Sequence, residues 1–291
     1  MISQPVKLDG NVLCPWRTTP PSRGKPVMSV FKVDGVELTG ARAGSGAPLL
    51  MLHGAGGPRS ILAACNRLSK SFSVIAPTHP GFADCPQVDR FDTVDDLAYL
   101  YLDLLDDLKL NDVTVMGFSL GGWIAAEMAV KSTARIGRII LVDAVGVKFG
   151  GPDSKELADL FSIPPSEMPK LTYFDPKFAP DPSTFTDQDK LNAQRSFQAF
   201  ARYAWEPYLH DPKLRQRLHR INKPALLIWG EHDKIVDVEY GRKFCAAIPG
   251  ARMVVLPHVG HVPQVEAPEK FDALVADFVN GRARSIVGAA E

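Results

Sequence analysis

The sequence has little cysteine for its 291 residues. Cys14, Cys65, Cys85 and Cys245 stand far apart and form no C-x-x-C pair. None of the sequence-local zinc spacings is present, and a disulfide framework is not expected in a chain this long. We expect reduced thiols, no metal and a cytoplasmic location. Long apolar runs are also missing: none approaches the ~18 residues of a membrane span. The opening MISQPVKLDGNVLCPWRTTPPSRGKP has no continuous apolar stretch of the secretory kind. An excess of one charge is missing too. The 33 basic and 33 acidic residues cancel, so neither a nucleic-acid footprint nor a basic membrane patch is expected. Nucleotide loops fail on inspection. Gly54-Ala55-Gly56 would need a glycine at 59 to complete G-x-G-x-x-G, and Arg59 stands there; Gly24-Lys25 runs into Pro26. We expect no cofactor, and the only expected partner is a small-molecule substrate. Whether the chain is a monomer or a homodimer is left open.

What is present is an ordinary globular balance, 45% hydrophobic and 23% charged, in a chain long enough for one large domain with an insertion. Residues 1–26 are Pro-rich and read as an arm. From Val27 the pattern is strand-like, and Asp34-Gly35 is a hairpin turn signal. Short apolar strands are expected at 48–52, 72–76, 112–117, 136–144, 225–229 and 252–256. Helices are expected at 93–110, from about 119, at 238–248 and at 268–279. Thr93 suits a helix cap, with Asp95 and Asp96 in the first turn. This alternation predicts an α/β fold: a mostly parallel eight-stranded sheet with helices on both faces. The core is expected at 27–149 and 219–281, with 282–291 as a frayed tail.

Residues 150–218 break the rhythm. No strand is expected there, prolines recur, and aromatics are concentrated. In DQDKLNAQRSFQAFARYAW, the helical period puts Ala193, Phe197, Phe200, Ala201 and Ala204 on one face. The segment reads as a helical lid over an apolar pocket, against the plainer reading of a small satellite core. Phe118, Trp123, Phe197, Phe200 and Tyr203 are candidate pocket residues.

Gly117-Phe118-Ser119-Leu120-Gly121 fits G-x-S-x-G at an expected strand-to-helix turn. A sharp turn there lifts the serine oxygen above the sheet, and glycines on either side let backbones approach. The following helix aims N–H groups at developing negative charge. A serine hydroxyl needs a base, and the base needs an orienting acid. Downstream, GEHDKIVD offers Glu231, Asp233 and Asp237, and LPHVGHVPQVEAP offers His258 and His261. Both stretches follow expected strands at their C-terminal ends, where open α/β sheets bind ligands.

Across roughly Val27 to Gly281 the chain resembles the α/β-hydrolase fold family in its lid-bearing branch, which includes carboxylesterases, carbon–carbon bond hydrolases and epoxide hydrolases. The resemblance rests on His53-Gly54-Ala55-Gly56, on Gly117 to Gly121, on Gly230-Glu231-His232-Asp233, and on Gly260-His261 running to Pro268. It implies Ser119 as nucleophile, His261 as base and Asp233 as acid. The backbone N–H groups of Ala55 and Leu120 would form the oxyanion hole. Asp237, Glu231 and Asp143 are the rivals for the acid, and His258 for the base. His53 is expected to be structural, and Glu266 a loop anchor. Relatives that open epoxides or remove halide use an aspartate at the elbow, so Ser119 argues against both activities. Ester hydrolysis through an acyl-enzyme is expected first. Cleavage of a carbon–carbon bond in a dicarbonyl is the alternative, with Arg59 the nearest candidate for a substrate carboxylate. Cofactor-free peroxidation and a non-turnover receptor on the same fold are further alternatives.

Overall fold

A computed structural model describes residues 27–151 and 153–282. The expected arm and nearly all of the expected tail lie outside the described residues. Strands β1 (Val27–Val33) and β2 (Val36–Ala43) form a hairpin on Asp34 and Gly35, both left-handed (φ 45° and 72°). Then come β3 (Ala47–Leu52), α1 (Arg59–Leu68), β4 (Phe72–Pro77), α2 (Val94–Asp107), β5 (Val113–Phe118), α3 (Leu120–Lys131) and β6 (Ile136–Val142). Before the sheet resumes, the chain makes β7 (Gly146–Val147), α4 (Met168–Thr172), α5 (Asp187–Ala204), β8 (His210–Asp211) and α6 (Leu214–Arg217). It closes with β9 (Ala225–Gly230), α7 (Val238–Ala247), β10 (Arg252–Leu256), α8 (Pro263–Glu266) and α9 (Pro268–Val279).

Eight strands form one sheet in the order β1-β2-β4-β3-β5-β6-β9-β10. The pairs β1–β2 and β2–β4 are antiparallel and the rest parallel. Central strands β5 and β9 are buried at every position. This is why they read as unbroken apolar runs, since helices cover both faces of a parallel sheet. Helix α2 begins with Thr93 and Asp96 capping one another. Helix α3 is buried from Leu120 to Val130; a helix apolar on all sides belongs inside.

The stretch between β6 and β9 differs from the reading in two respects. It contains β8, which pairs with β7 as a two-stranded parallel ribbon; two residues leave no alternation to read. The buried face of α5 is Ser196, Ala199, Phe200, Tyr203 and Ala204, whereas Ala193 is exposed and Phe197 is 48% exposed. The helix is rotated because its contacts are polar. Ser196 Oγ accepts from Ala83 N–H at 3.2 Å, and the Tyr203 hydroxyl donates to Pro80 O at 3.2 Å. Arg202 donates to the carbonyls of Phe91 and Asp89 at 2.9 and 2.8 Å. Among the described residues, no helix is long and apolar enough to cross a membrane.

Candidate active site

The site lies past the C-terminal ends of β3, β5, β9 and β10. At the end of β5 the chain turns so sharply that Ser119 is left-handed, with φ 52° and ψ −112°. A non-glycine residue there carries strain of order 1–3 kcal/mol. The glycines around it work by close approach. A Cβ on Gly121 would stand 2.0 Å from the carbonyl oxygen of Leu52, and one on Gly117 would stand 2.0 Å from that of Gly121. The first turn of α3 therefore sits directly against the end of β3. Leu120 is the first helical residue, so its N–H has no acceptor within the helix.

The loop after β3 completes this corner. A Cβ on Gly54 would lie 3.2 Å from Ser119 Cβ, which puts the Gly54–Gly57 turn beside the elbow. Ala55 is half-buried within it. His53 holds the turn from beneath, as expected. His79 N–H donates to His53 Nε2 at 3.0 Å, so the His53 proton is on Nδ1 and is donated to Gly54 O at 2.8 Å. Burial, then the neighbouring His79, push the His53 pKa well below the usual histidine value. His79 is lowered to about 4 by burial. Both rings are neutral scaffolding.

A side-chain hydrogen bond joins the acid and base loops. His261 Nδ1 lies 2.7 Å from Asp233 Oδ2. The other Asp233 oxygen accepts the N–H groups of Ile235 and Val236 at 2.8 and 3.0 Å. Of the rivals, Asp237 caps α7 through the Tyr240 N–H at 2.8 Å. Glu231 and His258 are exposed. Asp143 is fully buried: its Oδ1 accepts from Gly230 N–H at 2.9 Å, and its Oδ2 has no partner. Burial, and then the charge of Asp233, raise its carboxyl well above the ordinary carboxylate range. Ionisation of Asp143 beside the Asp233 carboxylate is thus disfavoured.

The segment between β6 and β9 touches every loop of this site. On one side Ser196 faces Gly57, where an added Cβ would stand 2.8 Å from Ser196 Oγ. Arg59 is bound to Asp189 at 2.7 Å and lies over the ring of Phe185. Its guanidinium is thus paired with the insertion through an exposed side chain. On the acid loop, Ala158 N–H donates to Ile235 O at 2.9 Å. On the base loop, His261 N–H donates to Thr172 O at 2.7 Å. Glu266 closes this side: one oxygen accepts from Phe174 and Asp175 N–H at 2.9 and 3.0 Å, the other from Gly260 N–H at 2.7 Å. That one side chain joins the insertion to the residue before His261. G-H-x-P-x-x-E marks Glu266 as an anchor, but not what it anchors.

The candidate pocket residues have varied placements. Phe118 packs into the core at 5.9 Å from Phe271. Trp123 is buried, with Gly146 pressed against its ring and its indole N–H directed to Glu127 at 3.4 Å. Phe200 stacks on Phe161 at 5.0 Å, and Tyr203 stacks on Phe82 at 6.4 Å. Phe197 meets Phe161 edge-on and is half exposed. Phe118 and Trp123 are thus taken up by core packing, and the aromatic cluster centres on Phe161, which the helical period of α5 could not reveal.

A sheet of this order, with its elbow serine and acid–base pair on strand-end loops, defines an α/β-hydrolase architecture. Residues 49–274 match the family model described as the alpha/beta hydrolase family, and the chain belongs to that family. It is 30% identical over 268 residues to a 2-hydroxymuconate semialdehyde hydrolase of a Pseudomonas species, covering 81% of this chain and 88% of the relative. It is 29% identical over 264 residues to a 2-hydroxy-6-oxononadienedioate/2-hydroxy-6-oxononatrienedioate hydrolase of Cupriavidus pinatubonensis, covering 81% and 88%. Among solved structures it is similar to a meta-cleavage product hydrolase from Pseudomonas fluorescens, with TM-score 0.73 and 22% identity over 87% of this chain and 98% of that one.

Proposed function

We propose that this protein is a serine hydrolase that cleaves a carbon–carbon bond beside a carbonyl in a small dicarbonyl acid. The observation that carries the serine chemistry is the 2.7 Å bond from His261 to the buried Asp233, on loops at the same end of the sheet as a left-handed Ser119. In this reading Ser119 Oγ attacks the carbonyl carbon and its proton passes to His261 Nε2. Asp233 holds the imidazole by Nδ1 and stabilises the imidazolium. The tetrahedral oxyanion is met by the N–H groups of Ala55 and Leu120. Its collapse breaks the bond to the leaving carbon, which takes a proton from His261. Water then attacks the acyl-enzyme, with His261 as base, and releases a carboxylic acid.

The same apparatus suits an ester, which the triad alone puts first. Carbon is a much poorer leaving group than oxygen and departs only if a second carbonyl spreads its charge as an enolate. What turns the reading to the dicarbonyl is the curated relatives, whose names describe hydrolases of hydroxy-oxo acids and of a semialdehyde. The insertion is read as the lid, supported by its contacts with the oxyanion, acid and base loops together.

A fluorophosphonate label mapped by mass tests the nucleophile; it should fall on Ser119. Turnover should then be measured on ring-opened dicarbonyl acids and on nitrophenyl esters. We expect kcat/KM to favour the dicarbonyls, and Ser119→Ala to remove about 10⁶-fold from kcat while Tm holds. Preference for the esters returns the reading to an esterase. Retained turnover in Ser119→Ala overturns the mechanism. If no compound is turned over but one raises Tm, the receptor reading gains.

A further inference from the structure

The acid and base loops carry more ligating side chains than the triad uses. Glu231 and His232 immediately precede Asp233, and His258 stands three positions before His261. Strands β9 and β10 are parallel neighbours, so both loops leave the same end of the sheet side by side. One donor atom each of Glu231, His232 and His258 lies within 4.8 Å of the other two. His232 Nε2 is 3.4 Å from Glu231 Oε2. That carboxylate oxygen also accepts from His258 N–H at 3.3 Å, so it already links the two loops. The ring of Phe174, from the insertion, stacks on His232 at 4.5 Å and lies 5.4 Å from His258. It forms an apolar wall to one side of the cluster.

We propose that Glu231, His232 and His258 form a surface site for a divalent transition-metal ion, with zinc the best match to the donors. Two imidazoles and one carboxylate are a donor set that zinc takes where a coordination position stays open to water. Bonds of about 2.1 Å at tetrahedral angles separate donors by about 3.4 Å, the spacing His232 and Glu231 already have. His258, also exposed, has a donor atom within 4.8 Å of both. The buried group Asp143, Asp233 and His261 has comparable spacing, but two of its members are committed: Asp233 accepts two backbone N–H groups and the imidazole of His261. An ion at the surface site cross-links the acid loop to the base loop a few residues from the triad, whatever substrate the triad serves.

The test is calorimetric titration of the full chain with zinc chloride, alongside its Tm. One ion per chain is expected, with a rise in Tm because zinc binds the folded form. His232→Gln, His258→Gln and Glu231→Gln should each weaken binding by at least the roughly 10- to 100-fold that loss of an outer-shell partner costs a metal site, and should abolish the Tm rise. Magnesium, which prefers octahedral oxygen ligands, should not replace zinc. No saturable zinc binding overturns the proposal. So does binding that survives all three substitutions but is lost in His261→Ala, which would assign the ion to the triad itself.

Discussion

The sheet and the segment between β6 and β9 are held in place by different means. In the sheet, β5 and β9 are buried throughout, and the elbow is fixed by backbone pressed on backbone at Gly117 and Gly121. The insertion leaves Phe197, Leu191 and Trp205 from 40% to 59% exposed. It is tied down by side chains that reach backbone groups: Ser196, Arg202 and Tyr203 from α5, and Glu266 from α8. Such bonds contribute about 1 kcal/mol each, more when one partner is charged. The difference teaches where change is tolerated. Ser119 sits on a turn that cannot shift without a backbone clash. The insertion is attached by tethers that can be altered singly.

The largest effect should come from the acid. In Asp233→Asn the amide oxygen is held by the Ile235 and Val236 N–H groups, so its NH2 faces His261 Nδ1 and imposes the wrong tautomer; kcat should fall by about 10⁴-fold with the fold intact. Asp143→Asn is the contrast. Asparagine imitates the protonated carboxyl, still accepting from Gly230 N–H, so activity should stay within a few-fold. Comparable losses in both variants would mean that the two carboxyls share the role. A pH series sharpens the point. Burial and the charge of Asp233 hold the folded Asp143 carboxyl above its ordinary value of 3.8. Its contribution to stability is therefore full below 3.8 and is lost as pH rises through the folded value. Asp143→Asn lacks this loss, so its Tm should gain on the wild type as pH increases.

Gly121→Ala tests the rigid half directly. Its Cβ would meet the carbonyl oxygens of Leu52 at 2.0 Å and of His53 at 2.7 Å. Neither is a flexible side-chain end, so a cost of about 3 kcal/mol or more is expected in urea unfolding. A loss below about 1 kcal/mol would show that the elbow yields.

The same contrast governs what could be read from the sequence. Buried parallel strands are unbroken apolar runs, so β3, β5, β6 and β9 were legible to within a few residues. The triad candidates were legible because each follows one of those runs with its own short motif. The face of α5 was not legible: Ser196 and Tyr203 count as polar or amphipathic in any hydrophobic period, yet they face inward because loop carbonyls and an N–H await them. Nor could spacing show that Glu266 reaches Phe174, 92 positions away. The surface cluster of Glu231, His232 and His258 was hidden likewise, because its members come from two loops that only the strand order makes neighbours.

Glu266 is where the two halves meet, and its loss should be felt in both. Glu266→Ala frees three backbone N–H groups and loosens Gly260, next to His261. A misplacement of about 1 Å at a reacting group can cost 10²-fold, so kcat should fall by roughly 10- to 100-fold, with a smaller change in KM. Glu266→Gln keeps one acceptor oxygen and should recover part of the loss. A variant that changes Tm and leaves kcat alone would make Glu266 a structural tie only.

The smallest effect tests a single tether of the insertion. The Tyr203 hydroxyl donates to Pro80 O at 3.2 Å, while its ring stacks on Phe82. Phenylalanine keeps the stack and removes the donor, together with a long 3.5 Å bond accepted from Gln87 Nε2. Pro80 O then stands with one acceptor bond fewer, and the expected loss in stability is about 1 kcal/mol. Because α5 also bears Ser196 against the oxyanion turn, movement of the helix should appear in KM before kcat. A Tyr203→Phe variant with lowered kcat and unchanged KM would mean that α5 supports the reacting groups themselves, and the division between a rigid core and a tethered cover would not hold at this helix.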